Sequence, residues 1–123
     1  MCIRDRPKNV LHWAGIDRAI LDVNAACRPD FAIVDGIVGM EGNGPIQGTP
    51  KASGVLVLGN DPVAVDATCC RVMGLVPERV KYLSRAGTLL GHLQVNKIQQ
   101  LGESIASVKT NFAVLPEFET ISH

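Results

Sequence analysis

A glycine-rich stretch between two apolar segments constrains the fold of this chain more than any other feature. Seven of the twelve glycines fall within residues 36–59, and acidic residues flank or interrupt them. Glycine loses much conformational entropy on ordering and has no side chain to pack. Such a run between two predicted strands therefore indicates backbone held close to another group, and it predicts a binding site there.

The composition limits the class of protein. With 123 residues, 46% of them hydrophobic and 20% charged, the chain fits one domain or a large piece of one. A formal net charge of zero gives no electrostatic reason to expect nucleic acid or an anionic membrane as a partner. The apolar runs are too short for a membrane-spanning helix, and the N-terminus lacks an apolar signal segment, so we expect a cytoplasmic protein.

The four cysteines do not form a cluster-binding or zinc-binding motif. They are Cys2, Cys27, Cys69 and Cys70, and no two of them have C-x-x-C spacing. We therefore expect buried free thiols in a reducing compartment.

The first six residues fit no element that follows them. Residues 1–6 resemble translated adapter sequence, and we interpret them as a non-native leader. Residues 7–123 are then expected to be the C-terminal part of a single α/β domain that extends upstream.

Hydrophobic spacing predicts a helix and two strands in the first half. Residues 16–27 have apolar positions at i, i+3, i+4 and i+7, which is typical of an amphipathic helix. Residues 31–35 and 54–59 are short and almost wholly apolar, which indicates strands buried on both faces. The predicted fold class is α/β, with short buried strands that alternate with helices around a glycine-rich loop.

The segment between these strands, residues 36–53, has no convincing period and is predicted to be a functional loop. An alternative is a local hairpin over residues 33–38, with a type I′ turn at Asp35 and Gly36. Its arms would be short and uniformly apolar.

A second helix is predicted directly after Asp61. Asp61 is a good N-cap, Pro62 a good first helical residue, and Gly74 a good stop. Further along, we expect a helix over residues 78–86 with Tyr82 turned inward. Later segments are predicted as a strand at 95–101, and as a second strand or weak helix at 104–112.

Asp66 is the most unusual single residue. On the predicted helix its neighbours are Val63, Cys69 and Cys70, so its carboxyl group lies on a largely apolar face. A buried carboxylate requires a donor, a cation or a proton of its own. Asp66 is therefore either a structural acid that accepts from backbone N–H groups of the glycine loop, or a ligand or acid–base group.

Two other acids are placed at element ends. Asp61 is expected to cap its helix, and a helix N-terminus preceded by glycine is also an anion site. Asp35 stands at the carboxyl end of a predicted strand, where α/β sheets bind ligands. Its alternative role is turn formation before Gly36.

The sequence Glu41-Gly42-Asn43-Gly44 offers groups for two kinds of ligand. Gly42 and Gly44 allow consecutive N–H groups to converge on an anion, and Glu41 and Asn43 supply oxygens that suit a hard cation. The alternative is a surface loop. Neither a Walker loop nor a dinucleotide fingerprint is present.

The remaining polar candidates carry weaker signals. His12 and His92 lack metal-ligand spacing, so each is expected to be structural. Lys51 and Ser53 close the glycine stretch and are expected to be solvated.

Several long motifs in order resemble the family called domain of unknown function 362. They lie within residues 9–90: His12 with Gly15-Ile16, Ala19-Ile20-Leu21-Asp22, Pro29 to Gly36, Met40 to Pro45, Gly48-Thr49-Pro50, Gly59 to Ala67, and Met73-Gly74. The resemblance implies the C-terminal half of that family's domain. Many relatives are described as iron–sulfur proteins, but this chain has no residues to which cluster ligation carries over. The family's motif residues fall on Asp35, Glu41, Asn43, Asp61 and Asp66.

These observations leave three functions open. The first is a redox enzyme or component that binds a metal ion or a small anionic molecule. In it Asp66 and Glu41 would be the catalytic acids, and Asp35, Gly42, Asn43, Gly44 and Asp61 would bind the ligand. The second is a non-catalytic binding module for a redox partner protein, and the third is a purely structural glycine loop. The sequence identifies neither the metal nor the cofactor.

Overall fold

The computed structural model of the chain describes residues 12–122. Within them the order is helix, hairpin, then helices and short 3-10 turns. The α-helices are α1 (Ile16–Ala26), α2 (Pro62–Val72), α3 (Lys81–Leu89) and α4 (Ile105–Val108), and the strands are β1 (Ala32–Asn43) and β2 (Gln47–Gly59). Three 3-10 segments lie at Pro77–Arg79, Val95–Lys97 and Pro116–Ile121. The chain is α/β, as predicted, and helix α1 coincides with the predicted amphipathic helix.

The glycine-rich stretch is a β-hairpin, so the predicted loop at residues 36–53 is wrong. Strands β1 and β2 pair antiparallel from Ala32 opposite Gly59 to Asn43 opposite Gln47. The chain reverses over residues 44–46, so the alternative turn at Asp35 and Gly36 is also wrong. A bulge interrupts the ladder between Gly36 and Val38. The predicted strands 31–35 and 54–59 form only the base of this longer hairpin.

Two of the glycines admit close approach by the chain's own side chains. A Cβ on Gly36 would lie 2.9 Å from Val55 Cγ2, and one on Gly39 would lie 2.8 Å from the Phe112 ring. Both distances are shorter than ordinary carbon contacts. Internal packing, rather than a bound group, therefore explains glycine at these two positions.

Within residues 12–122, other parts of the chain cover only one of the two faces of the hairpin. Helix α2 packs on β2, and a Cβ on Gly59 would meet Val65 Cγ2 at 2.8 Å. The opposite surface, here called the outer face, includes six large apolar side chains that are 50–67% exposed: Ile33, Ile37, Val38, Met40, Leu56 and Leu58. The prediction that both strands are buried on both faces does not hold within residues 12–122.

The capping residues in the sequence correctly predicted both ends of α2. The Asp61 carboxylate accepts from the N–H groups of Val63 and Ala64, and Pro62 occupies the first turn. Gly74 has φ +80°, the left-handed conformation that ends helices.

The main core lies among α1, α2 and α3. Its members are buried apolar residues from these helices and the turn that follows α3: Leu21, Val63, Ala67, Cys70, Leu83, Ala86 and Leu93. Leu83 is the largest fully buried side chain, with 1% exposure. The predicted helix at 78–86 is displaced toward the C-terminus, because Pro77–Arg79 forms a 3-10 turn before α3 begins.

The last third of the described chain is mostly irregular. The predicted strand at 95–101 is wrong, since Val95–Lys97 is a 3-10 turn. Within 104–112 the weak-helix alternative is confirmed only for α4, which Ser104 caps. Beyond it, Thr110 N donates to Val72 O at 2.7 Å and Phe112 N donates to Met73 O at 2.9 Å, and these bonds fix the segment to the end of α2.

Candidate functional site

The predicted site residues do not share one set of contacts. Asp61 bonds His92 beside a large groove, and Asp66 bonds Tyr82 in a small cavity among the helices. Glu41, Gly42, Asn43 and Gly44 lie near the end of the hairpin, and Asp35 lies inside β1 at the bulge. We therefore describe three places separately.

Asp61 joins the start of α2 to the turn after α3. Its Oδ1 accepts from Val63 N at 3.0 Å and Ala64 N at 3.2 Å, so the predicted cap is formed. Its Oδ2 accepts from His92 N at 2.8 Å and lies 2.9 Å from His92 Nδ1. Burial alone would raise the pKa of the Asp61 carboxyl group, but these four hydrogen bonds outweigh it and lower the pKa.

This arrangement determines which ring nitrogen of His92 is free. An ionised carboxylate only accepts hydrogen bonds, so Nδ1 of His92 must carry the hydrogen that it shares with Asp61. In the neutral ring Nε2 then has a lone pair and can accept a proton. The His92 side chain is 58% exposed and that of Asp61 only 18%, so the ring is accessible while its partner is sheltered.

Glycine at position 91 makes the Asp61–His92 contact sterically possible. A Cβ on Gly91 would overlap the Asp61 carboxylate. The chain can therefore approach the N-cap and donate the His92 N–H only because residue 91 lacks a side chain. The sequence predicted only a structural role for His92, because 31 positions separate it from Asp61; the dipeptide Gly91-His92 was the available signal.

A groove of about 870 Å³ lies between β2, α2 and the C-terminal segment, with Asp61 and His92 on its wall. Its lining includes backbone and side chains of residues 54–61, Thr68 on α2, and residues 97–103. Small-molecule sites in proteins have volumes of roughly 300–1,000 Å³, so the groove is large enough for a metabolite.

Asp66 has the partner that a half-buried carboxyl group needs, but not the partner expected. The Tyr82 hydroxyl donates to Asp66 Oδ2 at 3.1 Å, whereas the sequence suggested N–H groups of the glycine stretch. Burial raises the pKa of Asp66, and the Tyr82 bond offsets this only in part. Burial, with Asp66 as the next contribution, also raises the pKa of Tyr82. The predicted inward orientation of Tyr82 is confirmed.

The cavity beside Asp66 is small and mostly apolar. It lies among α1, α2 and α3, is lined by residues such as Ile20, Leu21 and Leu83, and has a volume of about 50 Å³. A water needs about 10–15 Å³ in this measure, so the cavity has room for a few waters but not for a metabolite.

The cysteines next to Asp66 are poor nucleophiles. Burial, and secondly the Asp66 charge, raise the pKa of the Cys69 and Cys70 thiols to about 11. Both are therefore protonated at neutral pH. Cys70 is buried as predicted, Cys69 is partly buried, and Cys27 is exposed, contrary to the prediction; Cys2 lies outside the described residues.

Glu41 fastens the hairpin to the C-terminal segment. Its Oε2 accepts from Ala113 N at 2.9 Å and pairs with Lys51 Nζ at 3.3 Å. The Ala113 bond is the main cause of the lowered pKa of Glu41; burial opposes it and Lys51 supports it. The cation beside Glu41 is therefore the Lys51 ammonium group. Lys51 is paired rather than solvated, contrary to the prediction. Ser53 is also engaged, since its hydroxyl donates to Thr110 Oγ1 at 3.2 Å.

The remaining candidates bond within the chain. Gly42 N donates to Ala113 O, and Gly44 N donates to Gly42 O, both at 2.9 Å. These N–H groups are thus occupied rather than directed at an anion. Asn43 Nδ2 donates to Gln47 Oε1 across the turn. Asp35 accepts from Ile37 N at 3.0 Å beside the bulge inside β1, so it stands neither at the end of a strand nor in a turn, contrary to both predictions.

The described residues contain no group of three or more His, Cys, Asp or Glu side chains arranged to hold a metal ion. Within the same residues no helix is both long and apolar enough to cross a bilayer.

Comparison with known proteins assigns the chain to a family. The sequence model of the family described as "Domain of unknown function (DUF362)" matches residues 1–71, which confirms the resemblance seen in the motifs. The chain belongs to this family. It is also similar to the "Thylakoid-associated protein sll1697" of Synechocystis sp. (strain ATCC 27184 / PCC 6803 / Kazusa), with 34% identity over 61 residues. No solved structure matches the chain.

The match to that cyanobacterial relative is partial. It covers 50% of this chain but only 19% of the relative, so the matched part spans about a fifth of the relative's length.

Proposed function

We propose that this chain is the ligand-binding part of a redox enzyme or redox component, with its site in the groove beside Asp61 and His92. The single observation that carries the site is the Asp61–His92 pair. The carboxylate holds Nδ1 at 2.9 Å, which leaves Nε2 as the group that exchanges a proton with a bound molecule. A base oriented by a second group is the arrangement that many proton-transfer sites share.

The size of the groove and its charges favour one class of ligand. Asp61 already uses the N–H groups of Val63 and Ala64, and it brings a negative charge to the start of α2. This disfavours a free anion at that helix end. The groove also contains Lys97 and Glu103. We therefore propose a small, nearly neutral molecule with an exchangeable proton, rather than the anionic ligand that the sequence suggested.

The redox part of the proposal rests on the family resemblance, in which many relatives are described as iron–sulfur proteins. Residues 12–122 hold no cluster of metal-ligating side chains. An iron–sulfur cluster would accordingly be bound by residues outside the described range. Our proposal for this chain is the part that binds and deprotonates the molecule to be oxidised or reduced.

Two side chains predicted as catalytic have weaker support for that role. Glu41 is engaged by Ala113 and Lys51, and its contacts favour a structural function. Asp66 faces a cavity of about 50 Å³, which is too small for a metabolite. We propose that Asp66 and Tyr82 stabilise the helical core and position α3.

A ligand screen with matched histidine variants tests the site. A metabolite collection is screened for molecules that raise the melting temperature of the complete gene product, and each hit is repeated with His92→Gln and His12→Gln. We expect hits that are retained in His12→Gln and lost in His92→Gln. Hits that bind equally well to His92→Gln would contradict the groove site.

Elemental analysis tests the redox class independently. The complete gene product is purified without oxygen and analysed for iron and acid-labile sulfide. Stoichiometric iron with sulfide is the expected result. If neither is present while ligands still require His92, the binding module remains the better description and the redox part of the proposal fails.

A further inference from the structure

We propose that the outer face of the hairpin packs against an apolar layer supplied by a further segment of the same polypeptide, beyond these 123 residues. This surface adjoins the groove at His92, since Leu56 and Leu58 are also among the residues that line that groove. The proposal extends the expectation that residues 7–123 form only part of a larger domain.

The size of the outer face is the first argument. Its six large apolar side chains are each at least half exposed, from Met40 at 50% to Ile33 at 67%. Contiguous apolar patches larger than a few hundred Å² are rare on monomers and mark contact surfaces. Scattered exposed residues need no explanation, but a contiguous patch of this size does.

The pairing of the strands shows that the patch is contiguous. Ile33 lies opposite Leu58, Val38 opposite Ala52, and Met40 opposite Pro50. Antiparallel sheets with a solvated face place polar residues on that face. Here both faces carry apolar residues, which is the pattern of a sheet covered on two sides, while residues 12–122 cover only one.

The length of the cyanobacterial relative favours a covering layer from the same polypeptide. The matched 61 residues make up 19% of the cyanobacterial relative, so in that protein most of the polypeptide lies outside the matched region. The face also contains Asp35, opposite Leu56 and exposed. Stacking two copies of the face would desolvate two Asp35 carboxylates without a cation. A layer from the same polypeptide can place a donor or basic side chain there.

Cysteine labelling compares the 123-residue chain with the complete product of its gene. Leu58→Cys reports the outer face, and Ser84→Cys on the exposed side of α3 is the control. Both variants are made in both polypeptides and treated with a thiol reagent, and labelling of each site is followed by peptide mass spectrometry. We expect Leu58→Cys to react at least tenfold more slowly in the complete product, while Ser84→Cys changes by less than twofold.

Several results would overturn the proposal. These are equal labelling rates at Leu58→Cys in the two polypeptides, protection shared equally by Ser84→Cys, and a gene that encodes no residues beyond the 123. Concentration-dependent protection in the 123-residue chain alone would identify a second copy as the cover. Protection that appears only after a separate protein is added would identify an external partner.

Discussion

The helical core and the β-hairpin contain similar apolar residues but differ in how much of them is covered. Leu83 in α3 is 1% exposed, whereas Leu58 in β2 is 55% exposed. Acids in both regions bond residues that come later in the sequence: Asp61 and Asp66 in the helical half bond His92 and Tyr82, and Glu41 in the hairpin pairs with Lys51. The comparison teaches that residues 12–122 bury the apolar side chains of the helical core but leave those on one face of the hairpin exposed.

Replacing a leucine by alanine in each region should give the largest difference in the free energy of unfolding. Leu83→Ala removes a fully buried side chain and should cost about 2–5 kcal/mol. Leu58→Ala removes an exposed one and should cost less than about 0.5 kcal/mol. Denaturant unfolding of both variants of the 123-residue chain measures this. Similar losses would mean that Leu58 is already covered in solution, and the contrast between the regions would fail.

Adding a single methyl group tests the contact on which the site depends. Gly91→Ala places a Cβ against the Asp61 carboxylate and should cost about 1–3 kcal/mol, the usual effect of overpacking. Gly44→Ala in the hairpin turn meets only Met40 Sδ at 3.5 Å, an ordinary contact, and serves as the control. Thermal unfolding compares the two. A Gly91→Ala variant as stable as Gly44→Ala would show that His92 does not approach Asp61 as described.

Replacing Asp61 or Asp35 by alanine should give a smaller difference in the free energy of unfolding. Asp61→Ala loses the cap and the His92 contact and should cost about 1–2 kcal/mol at neutral pH. Asp35→Ala loses one exposed bond to Ile37 N and should cost a few tenths of a kcal/mol, the usual effect at an exposed position.

The cost of Asp61→Ala should depend on pH in a defined direction. The pKa of Asp61 is lowered in the folded state, so the carboxylate stabilises the fold above its unfolded pKa. That contribution is lost as the pH falls through the folded pKa. The difference in unfolding free energy between wild type and Asp61→Ala should therefore be smaller in acid than at neutral pH. A difference that stays constant would argue that the ionised Asp61 carboxylate does not stabilise the fold.

Asp66→Asn should produce the smallest effect, with the opposite dependence on pH. The pKa of Asp66 is raised in the folded state, so the protonated form is favoured there. The stabilisation is complete below the unfolded pKa and declines as the pH rises through the folded pKa. The neutral amide avoids this decline and can accept from Tyr82. We expect Asp66→Asn to melt a few degrees higher than wild type at neutral pH, with no gain in acid.

The control for that variant is Asp22→Asn on the exposed side of α1, for which no such gain is expected. A loss of stability for Asp66→Asn at neutral pH would mean that the ionised carboxylate, not the acid, is the stabilising form.

The parts of the fold that follow local rules were predicted from the sequence. Helix α2 was placed by Asp61, Pro62 and Gly74, each of which acts within one turn of the helix. The helical spacing of residues 16–27 likewise predicted α1. Such signals need no knowledge of distant residues.

The hairpin could not be predicted in the same way because its determinants are tertiary. Glycines at 36 and 39 look like loop residues in sequence, but they fit against Val55 and Phe112, which lie far along the chain. The turn at residues 44–46 contains Gly44-Pro45, with a cis peptide bond, and lacks an Asn-Gly or Asp-Gly pair. The strands' apolar pattern indicated burial on both faces, which the described residues alone do not provide.

The same limit applies to the site. Asp61 and Asp66 were identified from their positions on one helix, but neither partner was assigned, since His92 and Tyr82 lie 31 and 16 residues away. His92 alone has no distinctive spacing. Only the fold brings Gly91-His92 against the helix cap.

Nuclear magnetic resonance of the histidine ring nitrogens tests the central claim most directly. Long-range ¹H–¹⁵N spectra of the neutral rings would be recorded for His92, with the exposed His12 as the reference. We predict that Nδ1 of His92 carries the hydrogen and Nε2 does not, and that Asp61→Ala abolishes this preference. A His92 ring protonated at Nε2, in wild type as in Asp61→Ala, would contradict the account of the site.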